Sequence, residues 1–304
     1  MATARGSNHR VTTLNETVYG TTPSITPGDS AIVPVISNNI NLTKALFDDP
    51  SIYADAQKRF SRHGNKGVAG DVSVVYSVTN YDPWMESLMQ DTWAANVLKF
   101  GSTKKSFTIE RGFLDITQFT VYTGTVVNSF SLEVNTDGVV QSTYGFIGQD
   151  MTVSATQQDS APTAAASAQP FVHLDGTFKE GGASAGCTLL GISMSVSKNL
   201  DQLYCLGNDV IKEPAVGQIE VSGTATFYFE DETMLNKFLD ETESSLEFTL
   251  DDGSANTHTF LLPKIKYNSA NVNQSDAGQI PIEMEFVALY DSSEASTMTI
   301  TRSA

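Results

Sequence analysis

Apolar and polar residues alternate with a period of two along most of this chain. Val72, Val74, Tyr76 and Val78 share one face of DVSVVYSVT, as do Phe130, Leu132 and Val134 in SFSLEV, and IEVSGTATFYF and PIEMEFVALY repeat the pattern. Each reads as a half-buried strand. Asp137-Gly138 and Asp252-Gly253 stand at strand ends, where a turn needs positive φ or a local Asx bond, so the hairpins are antiparallel. Two helices interrupt the strands. Asp82 caps and Pro83 opens the first, which carries Met85, Leu88 and Met89; Asp231 precedes the second, which carries Met234, Leu235, Phe238 and Leu239.

The order of these elements recurs. GDVSVVYSVT followed by DPWMESLM mirrors GQIEVSGTAT followed by DETMLNKFL, with Gly70, Val72 and Val74 matching Gly217, Ile219 and Val221 at an offset of 147. The helices match at 150, and FTIERG matches FTLDDG at 141. The prediction is a mainly β chain of two tandem antiparallel β-sandwich or barrel domains, each with one short flanking helix. The expected division is an extended N-terminal arm over 1–34, rich in Thr, Ser, Pro and Gly; a first domain over 35–154; a linker over 155–186; and a second domain over 187–304. Residues 43–69 are expected to form a long loop.

Charge narrows the function. The 304 residues carry 35 acidic and 18 basic side chains, a formal net charge of −17, with about −3 in residues 1–152 and −14 in residues 153–304. That sign opposes a phosphate backbone and disfavours tight nucleic-acid binding. The acids are interspersed with Phe, Leu, Ile and Val, so a folded acidic surface is expected. Cys187 and Cys205 have neither CxxC spacing nor accompanying histidine pairs, which predicts free thiols. No signal peptide and no apolar run of membrane-spanning length is read, so synthesis and folding in a cytoplasm are expected.

Catalytic motifs are not found. His9, His63, His173 and His258 are scattered without HExxH, and GISMS has Ser195 where a nucleophile elbow needs its last glycine. Gly64-Asn65-Lys66-Gly67 precedes a strand rather than a helix, so it is read as a loop and not as a phosphate clamp. No catalytic residue, metal or cofactor is therefore expected. The one concentrated basic stretch, with Lys58, Arg59, Arg62 and Lys66, is a candidate for contact with an acidic surface of a neighbouring subunit.

Several strings carry a family resemblance: WAANVLKFG, KSFTIERGF, VVNSFSLEVNTDGVV, YGFIGQDM, VSKNLDQLYCLG, VSGTATFYFED, LEFTLDDG, FLLPKIKY and FVALYD. From about Tyr19 to Arg302 the chain resembles the tail tube (major tail) proteins of long-tailed bacteriophages of the siphovirus type. The resemblance implies a β-sandwich that assembles side by side into rings, with the sheets joined into a continuous inner barrel. Rings would stack into a hollow tail tube in the virion that conducts DNA into the host without specific binding. It also implies contacts with the tape-measure protein and with tail terminator and tip proteins. Similar single-domain proteins form rings of six, so a duplicated chain implies a trimer with pseudo-sixfold symmetry; a decorated single domain would instead need a hexamer.

Outward positions on the alternating strands make Glu133, Glu220, Glu283 and Glu285 candidates for the lumen. The competing class is a receptor- or carbohydrate-binding β-sandwich of a phage or bacterial surface. Such a module usually exposes clustered aromatics, whereas Trp84 and Trp93 flank a predicted helix and are expected to be buried.

Overall fold

The computed structural model describes residues 3–184, 188–254, 256–272, 274 and 278–303, which leaves Cys187 outside the described residues; Cys205 is a free, exposed thiol. The first part of the chain contains β1 (His9–Asn15), β2 (Ala31–Val33), β3 (Ser37–Asn38), β4 (Asn41–Asp48), β5 (Ser61–Val75), α1 (Asp82–Met89), β6 (Val97–Lys99), β7 (Phe107–Phe113), β8 (Gln118–Asn135), β9 (Gln141–Gly148) and β10 (Asp150–Ser154). The second part contains β11 (Val172–Glu180), β12 (Ala183–Ser184), β13 (Leu189–Ser197), β14 (Glu220–Tyr228), α2 (Thr233–Leu239), β15 (Ser244–Asp251), β16 (Thr257–Val272), β17 (Pro281–Ala288) and β18 (Thr299–Ser303). The chain is mainly β, as the alternation predicts, and every ladder between these strands is antiparallel.

Strand neighbours repeat between the two parts. β4, β5, β9 and β8 pair in that order, and so do β13, β14, β17 and β16. β8 and β16 are long strands that serve two layers. Their first halves pair with β7 and β10 and with β15 and β18, while their second halves pair with β9 and with β17. β1 lies beside β7 as β11 lies beside β15. The second half of β8 also pairs with β13, so one ladder runs from β4 through both parts of the chain to β16.

Bulges and helix ends fix the correspondence. β8 shifts register between Val127 and Ser129, and β16 between Tyr267 and Ser269, so Asn128 and Asn268 are the extra residues of equivalent bulges at an offset of 140. Gln90 and Glu241 both take a left-handed conformation after their helices, with Asp91 N–H on Glu86 O and Thr242 N–H on Lys237 O, an offset of 151. Following the ladders from the bulges, Gly70 falls on Gly223 at 153, where alternation alone reads Gly217 at 147. A Cβ on Gly70 would lie 2.4 Å from Asn39 O, and one on Gly223 would lie 2.2 Å from Ser193 O. Both glycines therefore admit the neighbouring strand segment at close range.

The stretch read as an arm enters the sheet through β1 and β2. Glu16 pins the turn after β1: its carboxylate accepts bonds from Gly20 N–H (2.9 Å), Ser106 Oγ (2.7 Å), Thr108 Oγ1 (2.9 Å) and Gly124 N–H (2.8 Å). The segment read as a linker supplies β11. Residues 43–69 form the arms and tip of the β4–β5 hairpin rather than a long loop, with the irregular part confined to 49–60. Tyr81, not Asp82, occupies the N-cap position of α1, without a side-chain capping bond; Asp82 is its first residue and pairs with Arg302.

α1 packs on β8 and buries Trp84, Met85, Leu88 and Met89. Trp84 meets Tyr144 and Phe146 edge-on at ring distances of 5.2 and 5.0 Å, burial that stabilises the fold by about 2–3 kcal/mol per large side chain. Trp93 is half-buried beneath the Arg302 guanidinium. Tyr76 and His258 link the two parts of the core by a 2.9 Å hydrogen bond, surrounded by Phe171, Phe260 and Phe130.

Candidate lumen and assembly surfaces

The continuous ladder has one apolar and one polar face because each of its strands alternates. Val72, Val74, Tyr144, Phe130, Leu132, Met194, Val196, Val221, Ala225, Met284 and Phe286 point to the core. Cross-strand pairs define the opposite face. Ser73 lies opposite Thr143, Thr143 opposite Ser131, Ser131 opposite Ser195 and Ser195 opposite Ser222; along a parallel row Glu133 is opposite Ser193, Ser193 opposite Thr224 and Thr224 opposite Glu285.

All four predicted glutamates lie on this polar face and are exposed. Glu133 is on β8, Glu220 opens β14 opposite Ser197, and Glu283 and Glu285 are on β17. Asp71, exposed on β5, extends the acidic row and escaped the sequence reading because a lone Asp in GDVSVV carries no signal by itself. Lys266, near one end of the face, lies 3.9 Å from Glu241. The middle of the face is concave. A trough of about 460 Å³ is lined by Ser131, Glu133, Ser193, Ser195, Thr224 and Glu285. Hydroxyls and carboxylates on a dry-backed sheet offer a negative, water-wetted wall, and Lys266 at its end is set beside Glu241 rather than in the concave middle where it could hold phosphate.

The predicted basic cluster divides between the tip and the base of the β4–β5 hairpin. At the tip Lys58 pairs with Asp48, and Arg59 pairs with Asp55 at 3.2 Å while stacking on Tyr53 at 4.2 Å. Arg62 is exposed on β5 and forms no ion pair among the described residues. Lys66 points inward at the base, 2.9 Å from Asp150 and 3.7 Å from Asp209; the hydrogen bond to Asp150 raises its pKa against the opposing effect of burial. Lys66 thus ties β5 to β10 and the 198–219 loop, while Lys58, Arg59 and Arg62 remain at the surface. Leu46, Phe47, Ile52 and Phe60 are exposed on the same hairpin, an apolar surface that favours a protein contact.

Where β13 meets β8, a lysine that the sequence did not single out is fully buried. Lys198 donates from Nζ to Ser87 O in α1 at 2.9 Å, and burial lowers its pKa to about 7. His258 is also buried, and burial, aided by Arg302, lowers its pKa to about 4; its ring packs among aromatics and has no converging catalytic partner among the described residues. Among the described residues no three His, Cys, Asp or Glu side chains converge as a metal site, and no helix is long and apolar enough to cross a membrane.

A sequence profile of the family described as phage tail tube protein matches residues 6–288. No curated protein matches the chain.

Proposed function

The chain belongs to the phage tail tube protein family, and from that premise we propose that it polymerises into stacked rings forming the hollow tail tube of a siphovirus-type virion, a conduit for genome ejection. The observation that carries this reading is the edge-to-edge ladder. Two units with the same strand order lie side by side in one sheet, and the sheet has an acidic, concave, hydroxyl-rich face. Repeating that junction between chains continues the sheet until it closes.

The two units are 35–154 and 187–304, supplemented by the strands that 1–34 and 155–186 add to the outer layer. Strand spacing favours three chains over six. Four inner strands per unit and six units make about 24 strands, which at ~4.8 Å spacing and a tilt of up to ~40° give a backbone diameter of roughly 37–48 Å. Side chains reduce this by ~10 Å, leaving room for a duplex ~20 Å wide, whereas six chains would double the circumference and fit DNA loosely. Glu133, Glu220, Glu283 and Glu285, with Asp71, then line the lumen and repel the genome so that it slides. The β4–β5 hairpin, with Lys58, Arg59, Arg62 and its exposed apolar residues, is the contact to neighbouring subunits. The tube contacts the tape-measure protein during assembly, and terminator and tip proteins at its ends.

The role is structural and requires no catalytic residue. Negative-stain microscopy of the purified protein, with mass measurement of released rings, tests the reading. Hollow tubes and a three-chain ring are expected; monomers under all conditions would overturn it, and a six-chain ring would overturn the trimer alone.

A further inference from the structure

The ladder inside the chain ends in a specific lock. β13 pairs with β8 from Gly191 opposite Asn135 to Ser197 opposite Ser129. Just beyond, the bulge residue Asn128 receives the incoming strand: Lys198 N–H donates to Asn128 O at 2.9 Å and Leu200 N–H to Asn128 Oδ1 at 3.0 Å. The Lys198 ammonium then reaches the Ser87 carbonyl in the last turn of α1, where the helix dipole favours a cation.

Each part of that lock has a counterpart elsewhere, with no strand docked on it among the described residues. The bulge asparagine recurs as Asn268, and the Ser87 carbonyl recurs as that of Phe238 in α2. Ladder register places β13 on the segment through β3 and β4 at an offset of 154: Gly223 is opposite Met194, and Gly70 is flanked by Asp71 on Asn39 and Ala69 opposite Asn41. Ser197-Lys198-Asn199-Leu200 therefore falls on Thr43-Lys44-Ala45-Leu46, a match of chemistry that ladder register alone does not require. Lys198 is completely buried, but Lys44 is exposed and Leu46 is 56% exposed. Likewise Leu88 of α1 is buried and its counterpart Leu239 is 70% exposed. Among the described residues no strand pairs with the outer edge of β4, or with Ser269–Val272 on the side away from β17.

We propose that copies of this chain join head to tail through these two edges, Leu42–Leu46 of one copy adding antiparallel to Asn268–Ala270 of the next. Leu42 lies opposite Ala270 and Thr43 opposite Ser269; the N–H groups of Lys44 and Leu46 bind Asn268, and the Lys44 ammonium binds the Phe238 carbonyl. Pairing begins at Leu42 because the Ile40 carbonyl already accepts bonds from Tyr122 (2.8 Å) and Arg111 (3.3 Å). Charge agrees with the docking: Lys44 approaches Asp240 and Glu241 at the end of α2. Because the two patches differ, the contact is heterologous and closes into a ring if the rotation per chain permits. This assignment rests on the tube reading and specifies its interface.

Engineered cysteines test it. In a chain with Cys187 and Cys205 changed to serine, Thr43→Cys with Ser269→Cys occupies a non-hydrogen-bonded pair, whose Cα separation of about 4.5 Å admits a disulfide. Oxidation of assembled protein is expected to link chains covalently, and denatured samples should run as ladders ending at the closed ring. Ser129→Cys with Ser197→Cys, the internal equivalent, should close within each chain and serves as the positive control. Lys44→Pro removes an N–H that points away from β5, since the opposite Lys66 N–H is bonded to Asp209 O; it should leave the monomer's circular dichroism and melting unchanged and abolish tubes. Tubes with a closed control pair but no interchain link, or tubes from Lys44→Pro, would overturn the edge assignment and leave the tube reading standing. Absence of rings and tubes from the unmodified chain would overturn both.

Discussion

Lys198 and Lys44 occupy equivalent places in the two parts of the chain and have opposite environments. The first is sealed between β8, β13 and α1; the second stands in solvent on β4. The helices differ in the same sense, since α1 buries five side chains and α2 buries none among the described residues. One repeated sequence motif thus serves a finished junction inside the chain and an unfinished one at its ends. Connectivity decides which is which: the stretch after residue 154 leads to the second unit, whose β13 lies on β8, and no strand of the described residues pairs with Ser269–Val272 on the side away from β17.

The largest expected effect separates the helices. Trp84→Ala should cost about 3–5 kcal/mol, because it opens a cavity against Tyr144 and Phe146, while the half-buried Leu235→Ala should cost about 1 kcal/mol; urea denaturation of both variants measures the gap. Equal losses would show that the second helix is as tightly held as the first.

Next is the lysine pair. Lys198→Met should stabilise the chain at pH 7 by ~1–4 kcal/mol, whereas Lys44→Met should leave the unassembled chain unchanged. Lys198 has its pKa lowered to about 7 in the fold from 10.5, so between those values the unfolded state binds the extra proton and stability rises with pH. The stability difference between Lys198→Met and the parent should therefore shrink as pH is raised from 7 toward 10.

His258 gives the opposite end of the pH scale. Its pKa of about 4 in the fold, against 6.5 unfolded, places its contribution above pH 6.5 and removes it as pH falls to about 4, a loss of about 3 kcal/mol. His258→Gln should flatten that part of the profile in thermal melts at pH 4–7. The smallest effect concerns the bulges: Asn128→Ala should cost about 1 kcal/mol by freeing Leu200 N–H, and Asn268→Ala less than ~0.5 kcal/mol until the protein assembles.

Alternation, helix signals and element order determined much of this protein without any structure. They yield the mainly β class, both helices and the inward set of residues. They also place Glu133, Glu220, Glu283 and Glu285 on the polar face, because a side chain's face on a strand follows from parity alone. Parity also explains the misread register. The offset of 147 between Val74 and Val221 differs from the observed 153 by an even number, and a two-fold pattern cannot distinguish such shifts. Only bulges, left-handed helix ends and the close approaches at Gly70 and Gly223 fix the register, and none of them is written in a two-fold pattern of apolar and polar residues.

The same limit hid the junction. Thr43-Lys44-Ala45-Leu46 and Ser197-Lys198-Asn199-Leu200 are visible as strings, yet a lysine beside a leucine is ordinary until the fold places one of them against Asn128 and a helix end. Composition set the acidic charge and the pattern of residues set the faces. Which edges are covered, and which lysine loses its water, were decided by tertiary structure, because burial is a property of neighbours brought together from both parts of the chain.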